Sequence, residues 1–348
     1  MFYGVRLLLC VALVVGPLAS CAPGQGVGAA FSTQEARLGP DDGRDSCRQY
    51  EVALDSTGNY FSADILAGAA TGALGGGLIG GLTGGDWKGA LIGAGIGAAT
   101  GAAAGYWNAL QKQNYDQAVL YSRVQGDIGN DNAQITRTQA AFDQLMGCRF
   151  AQAAGINASL AAHAIDRPTA EAQMANVRGW ARRDVAMGRR IDRQVEQRGQ
   201  QFSVAADNLA PGTSARIADE DAPVSDAAVV VRSTKLRLSP NEGAPGVASL
   251  AANAKVKIQR KRGAYALVQA DTGETGYAPT EDLGTEGHTH HKKRSIAPGA
   301  PVEAESVKPA ASQDVATLAG SNAARRDDFA QSVAVSDKAV ASGFELAS

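Results

Sequence analysis

Aromatic side chains make up only 5% of the 348 residues. The large apolar residues are dispersed as well, so no single large hydrophobic core is implied. With 33 basic against 35 acidic residues the formal charge is −2, which leaves no electrostatic footprint for nucleic acid. No Ser/His/Asp set, no paired carboxylates in a glycine-bounded cleft and no metal-ligand spacing can be assembled. His163 and Cys148 have no orienting Asp or Asn beside them, so no nucleophile is read there. A non-enzyme with no cofactor and no metal site is expected. Charge is also missing locally: Ile65 to Gly85 and Gly89 to Gln111 contain no charged residue.

What fills those spans is glycine. Gly68, Gly72, Gly76, Gly80 and Gly84 form one ladder, and Gly89, Gly93, Gly97, Gly101 and Gly105 a second, each at a spacing of four. Four residues is close to a helical turn, so each ladder is a single stripe. An interior glycine costs roughly 1 kcal/mol against alanine, and ten cost on the order of 10 kcal/mol unless close helix packing compensates. Repeated Gly-x-x-x-Gly is a signature of helix association in membranes, and both spans suit a bilayer. Gly85-Asp86-Trp87-Lys88 supplies a C-cap, an N-cap and a turn short enough to force antiparallel neighbours. A helical hairpin over 64–107 is predicted, with these glycines as its packing surface. Tyr60, Phe61, Tyr106 and Trp107 bracket one end and Trp87 the other, as interfacial aromatic belts do. A compact hairpin inside a soluble bundle or oligomer is the alternative. Gly75 to Gly80 also matches Gly-x-Gly-x-x-Gly, but no strand precedes it, so dinucleotide binding is rejected.

Arg6, the apolar run Leu7 to Val15 and the small residues after it read as a secretory signal peptide over 1–20. Leu18-Ala19-Ser20-Cys21 resembles a bacterial lipobox, which implies cleavage before Cys21 and acylation of that cysteine. Residues 21–63 are then a lipidated tether. Ala22 follows rather than an aspartate, which favours outer-membrane sorting. Cys47 and Cys148 remain as a pair in an oxidising compartment, and a disulfide between them is expected. Unpaired thiols or an intermolecular bond are the alternatives.

Tyr121, Ile128, Ile135 and Phe142 recur every seven residues, joined by Val124 and Leu145. After the break at Asp166-Arg167-Pro168, Met174, Val177, Ala181, Ile191, Val195 and Phe202 continue a compatible pattern. Two long helices folding back on each other are predicted over 108–207. Asp127, Asp131 and Gly188 weaken the seams. Arg178, Arg182, Arg189 and Arg193 share one face, read as solvated, with anionic lipid or glycan as the sharper reading. Residues 208–226, with Ala210-Pro211-Gly212 and Asp221-Ala222-Pro223, read as a linker.

From Ala227 the periodicity becomes that of strands, five of them in about 60 residues. Leu236-Arg237-Leu238-Ser239-Pro240, Val247 to Leu250, Ala254 to Ile258, Gly273 to Ala278 and Asp282-Leu283 resemble, in order, a bacterial SH3 domain. That resemblance implies a small barrel over 227–285 and a peptidoglycan or envelope-protein ligand. Tyr265 and Tyr277 are the candidate ligand-binding residues, although Ala264 and Tyr277 stand where the family often has tryptophan. A folded adaptor without a wall ligand is the alternative. His288, His290 and His291 sit in a basic stretch where adventitious metal binding is the plainer reading. Residues 286–348 are expected to be mostly disordered, with a short helix available from Ser321 to Val340.

The fold class predicted is thus α+β: a glycine-zipper hairpin, a long antiparallel helical arm, an SH3-like barrel and a disordered tail. Lipobox and double hairpin together resemble the glycine-zipper lipoproteins of Gram-negative envelopes, the family of the rickettsial surface antigen. The resemblance implies a structural, homo-oligomeric protein at the outer membrane, facing the periplasm and touching lipid through Cys21 and the hairpin. A tether between membrane and wall partners is the expected function. An oligomeric pore or secretion-machine component is the alternative.

Overall fold

The computed structural model describes residues 33–62, 103–113, 115–220, 222, 224–285, 314–342, 344 and 346. Helices α1 (Gln34–Leu38) and α2 (Arg48–Ser62) precede the glycine-rich segment, and α3 (Gly105–Lys112) follows it. Two long helices come next, α4 (Gln117–Ala161) and α5 (Arg167–Leu209), then the short α6 (Thr213–Glu220). Each long helix begins on an aspartate cap: Asp116 accepts from the Val119 amide at 2.8 Å and Asp166 from Thr169 at 3.0 Å. Pro168 in the first turn of α5 has no amide to lose there.

α4 and α5 form an antiparallel pair, and Ile128, Ile135, Phe142 and Leu145 on one face Met174, Val177, Ile191 and Val195 on the other. A further long helix, α7 (Val315–Ser342), completes an antiparallel bundle with α2, α4 and α5. Phe142 meets Phe329 edge-on at 5.8 Å, and Phe150 meets Phe344, so α7 runs parallel to α4. The expected disordered tail is therefore corrected for residues 315–342. Val315, Phe329, Val333 and Val340 are buried, and only their partners on α4 and α5, distant in sequence, make the helix stable. The expected linker over 208–226 is corrected too, since α6 occupies its centre and docks on α5 and α7.

Seven antiparallel strands follow α6: β1 (Asp226–Val230), β2 (Thr234–Arg237), β3 (Gly246–Leu250), β4 (Lys255–Arg262), β5 (Tyr265–Ala270), β6 (Thr275–Pro279) and β7 (Leu283–Thr285). Strict alternation places Val256 and Ile258 inside and Lys255 and Lys257 outside. β4 and β5 join through Gly263 at φ +57°, in a two-residue turn. The order is β3-β2-β6-β5-β4-β1-β7, an open sheet, where a closed SH3-like barrel was expected. The α+β class stands. The extra strands β3 and β7 pair only with β2 and with β1, so both edges stay open.

Candidate functional site

Cys21, the Trp87 turn, all of the ladder glycines except Gly105 and the three clustered histidines lie outside the described residues. The two stems that flank the ladders are described, and they meet at one place on the bundle. Tyr60, near the end of α2, lies under the Arg198 guanidinium at 4.6 Å, and its hydroxyl accepts from Arg198 Nη2 at 3.0 Å. Tyr106, one residue into α3 from Gly105, packs edge-on against Phe202 at 5.4 Å and donates to Asp127 Oδ2 at 2.7 Å. Arg198 and Phe202 are one turn apart on α5, so the same two side chains hold the entry and the exit of the segment. Burial, and then Asp127, push the Tyr106 hydroxyl far above its ordinary range, so it stays a donor at any physiological pH.

This root is held by a buried polar layer. Arg198 Nε reaches Asp131 Oδ1 at 2.7 Å, and Asn322 of α7 donates to Asp131 and Asn132 at 2.9 Å each. Asn132 in turn donates to the Leu318 carbonyl at 3.1 Å. Asp131 is fully buried; burial raises its pKa, while Arg198 and Asn322 oppose the rise. One network thus ties α2, α4, α5 and α7 together.

A second layer lies farther along the bundle. Cys47 and Cys148 are joined as a disulfide, with their Cα atoms 5.9 Å apart. Next to it, the fully buried Arg149 pairs with Asp184 at 2.6 Å and with both oxygens of Asp45 at 2.5 and 2.8 Å. Burial works against the Arg149 charge, but its hydrogen bonds to the two aspartates hold its pKa above normal. The disulfide and this arginine fasten α2 to the α4–α5 pair.

Several site expectations need correction. Phe61, Tyr106 and Trp107 are buried in the bundle rather than arranged as an interfacial belt, because their apolar partners lie on α4 and α5. Tyr277 is fully buried and donates to Asp328 of α7 at 2.9 Å, so it offers no face to a glycan. Burial and Asp328 push its hydroxyl far up. Arg262 holds Asp327 and Asp328 at 3.0 and 3.1 Å, and Arg260 also pairs with Asp327. That side of the sheet is covered by α7. Tyr265 is half-exposed. Of the arginine stripe, Arg178 is spent on the Phe344 carbonyl and Arg189 pairs with Asp337.

The polar residues of the root were missed as partners, although the sequence carried their signal. Asp127 and Asp131 interrupt an otherwise apolar seam, and in the structure each has a partner from another helix. Among the described residues no group of three or more His, Cys, Asp or Glu is placed to hold a metal. Among them, too, no helix is long and apolar enough to cross a membrane.

The fold and this site define an α+β protein whose glycine-zipper segment is clamped at both ends to a helical bundle. A family model described as a YMGG-like Gly-zipper matches residues 53–109, a span that takes in most of α2, the ladders and the first half of α3. No curated protein and no solved structure matches the chain.

Proposed function

We propose that the chain is a lipid-anchored tether of the bacterial envelope. Cys21 carries the lipid, the double glycine ladder packs in the outer membrane, and the bundle and sheet extend into the periplasm toward a wall or protein partner. The observation that carries this reading is the convergence of Tyr60 and Tyr106 on Arg198 and Phe202. A segment of about 40 charge-poor residues that leaves and re-enters a rigid body at one point suits an antiparallel hairpin inserted in lipid. Residues 227–285 keep their ordered resemblance to bacterial SH3 domains, and we assign them as a protein-facing module whose Tyr277 side is taken up by α7.

Membrane fractionation combined with intact-mass analysis of the mature protein tests this. The expected product is membrane-bound, begins at Cys21 and carries the added mass of acyl chains. A soluble, unacylated product overturns the tether. The pore-like alternative rests on the completeness of both ladders. It predicts a fixed series of cross-linked oligomers in native membranes, lost on Gly76→Leu with Gly97→Leu.

A further inference from the structure

Between α1, α2 and α5 lies a cleft of about 330 Å³, lined by Arg37, Leu38, Glu51, Met187 and the arginines Arg183, Arg190 and Arg193. We propose that this cleft binds a phosphate-bearing anion, presented to the protein as the headgroup of an anionic phospholipid.

The charge balance of the cleft is one-sided. Arg37 is committed to Asp55, which it holds from Nε at 2.8 Å and from Nη2 at 2.6 Å. The one acid in the lining, Glu51, is neutralised by Arg48 at 2.9 Å. Arg48 also donates to the Leu38 and Gly39 carbonyls, which fixes α1 over the opening. Arg183, Arg190 and Arg193 are exposed and form no ion pair with the described residues. The acid beside Arg193, Asp192, is pushed up to about 6 by burial and by Glu196, while Arg193 and then Arg326 act to lower it. Three arginines with no ion pair among the described residues therefore line a pocket that Leu38, Ala186 and Met187 complete. Planar forks with fixed donors match phosphate oxygens, and the apolar part of the lining accepts a glycerol backbone.

The tether reading supplies the lipid source. Arg193 precedes Arg198 by five residues, about 7.5 Å of helix, and Arg183 lies about 15 Å beyond it on the same axis. Arg193 is thus the cleft arginine nearest the root, while Arg183 stands next to Asp184 of the second layer. The lipid assignment rests on the tether reading, whereas the anion site does not.

The test titrates the full-length mature protein, in non-ionic detergent, with glycerophosphoglycerol, glycerophosphocholine and inorganic phosphate by calorimetry. Glycerophosphoglycerol is expected to bind more tightly than the other two. Arg183→Gln with Arg190→Gln and Arg193→Gln is expected to weaken it by at least about tenfold. The melting temperature should stay unchanged, since these side chains hold nothing in the fold. Arg182→Gln, outside the cleft, should bind as the parent does. Inorganic phosphate bound as tightly as the diester would support the anion site and assign it to a soluble ligand. Equal binding of the choline diester, retained affinity in the triple variant, or no binding of any probe overturns the proposal. The triple variant should still fractionate with membranes, so failure of the cleft and failure of the tether read out separately.

Discussion

The helical bundle and the sheet are built on different interiors. The sheet encloses Val230, Leu236, Val256, Ile258, Ala266, Val268 and Ala278, a small aliphatic core, and its register is set by alternation along each strand. The bundle buries Asp131, Asn132, Arg149, Asp184 and Asn322 among its apolar seams. Long helices with a seven-residue seam can slide by one repeat at little apolar cost, and charges prevent it. A slide of α5 by one heptad would set Asp131 against Ile191 or Ala205 in place of Arg198. The same slide would set Arg149 against Val177 or Ile191 in place of Asp184. Either leaves a buried carboxylate, Asp131 or Asp184, without its arginine. The bundle holds its register by polar layers, the sheet by its pleat.

The largest effect on this contrast is expected at the disulfide. Cys47→Ser with Cys148→Ser opens a link of sequence separation 101. Loop closure of that length is worth about 4–5 kcal/mol in the chain-entropy description. Urea denaturation followed by fluorescence should show it, since Trp107 and Trp180 both belong to the bundle and the sheet has no tryptophan. An unchanged midpoint would mean that the polar layers alone hold α2.

Arg149→Met should come next, at about 3–5 kcal/mol, because Asp184 and Asp45 lose their cation. Adding Asp184→Leu should recover much of that loss. A double variant as weak as the single would show that packing, rather than charge, dominates this layer.

The junction between the two regions gives a pH signature. Asp143 of α4 accepts from Ser239 Oγ at 2.6 Å and from Gln139 at 2.8 Å, and burial pushes its pKa up to about 6 despite these donors. Its folded pKa lies above the unfolded value near 4, so the folded state holds the extra proton. Stability from this group is greatest below about pH 4 and falls as pH rises through 6, by on the order of 2 kcal/mol. Asp143→Asn should flatten that slope in denaturation midpoints measured between pH 4.5 and 7.5. An identical slope in the variant would assign it elsewhere. The smallest effect is expected of Tyr277→Phe, about 1 kcal/mol for the bond to Asp328, read as a melting shift of the sheet. No shift would mean that the bonds of Arg260, Arg262 and Ser332 hold α7 to the sheet without help from Tyr277.

Much of the bundle was legible because α4 and α5 each bury one stripe, and the heptad residues from Ile128 to Phe202 are buried. α7 was not. It touches α4, α5, α6 and β6, so Ala319, Asn322, Phe329, Ser332 and Val340 are buried around much of its circumference and leave no one-sided pattern. Of the root, the aromatics were visible in the sequence but their destination was not, because that depends on Arg198 and Phe202 far along the chain. Gly188 looked like a flaw in the seam. It sits where an added Cβ would meet Phe142 at 2.9 Å and Val333 at 3.2 Å, a close approach of three helices. The sequence shows five strands rather than seven because β3 and β7 are short edge elements with few large residues.

The Cys47–Cys148 bond has a topological consequence. It encloses α2, the entire glycine-rich segment and α3 in one covalent ring. A protease cut anywhere within residues 63–102 would open the ring without dividing the molecule. The body would stay joined to the N-terminal stretch containing Cys21, and the nick would show only after reduction. The attachment has a built-in spare.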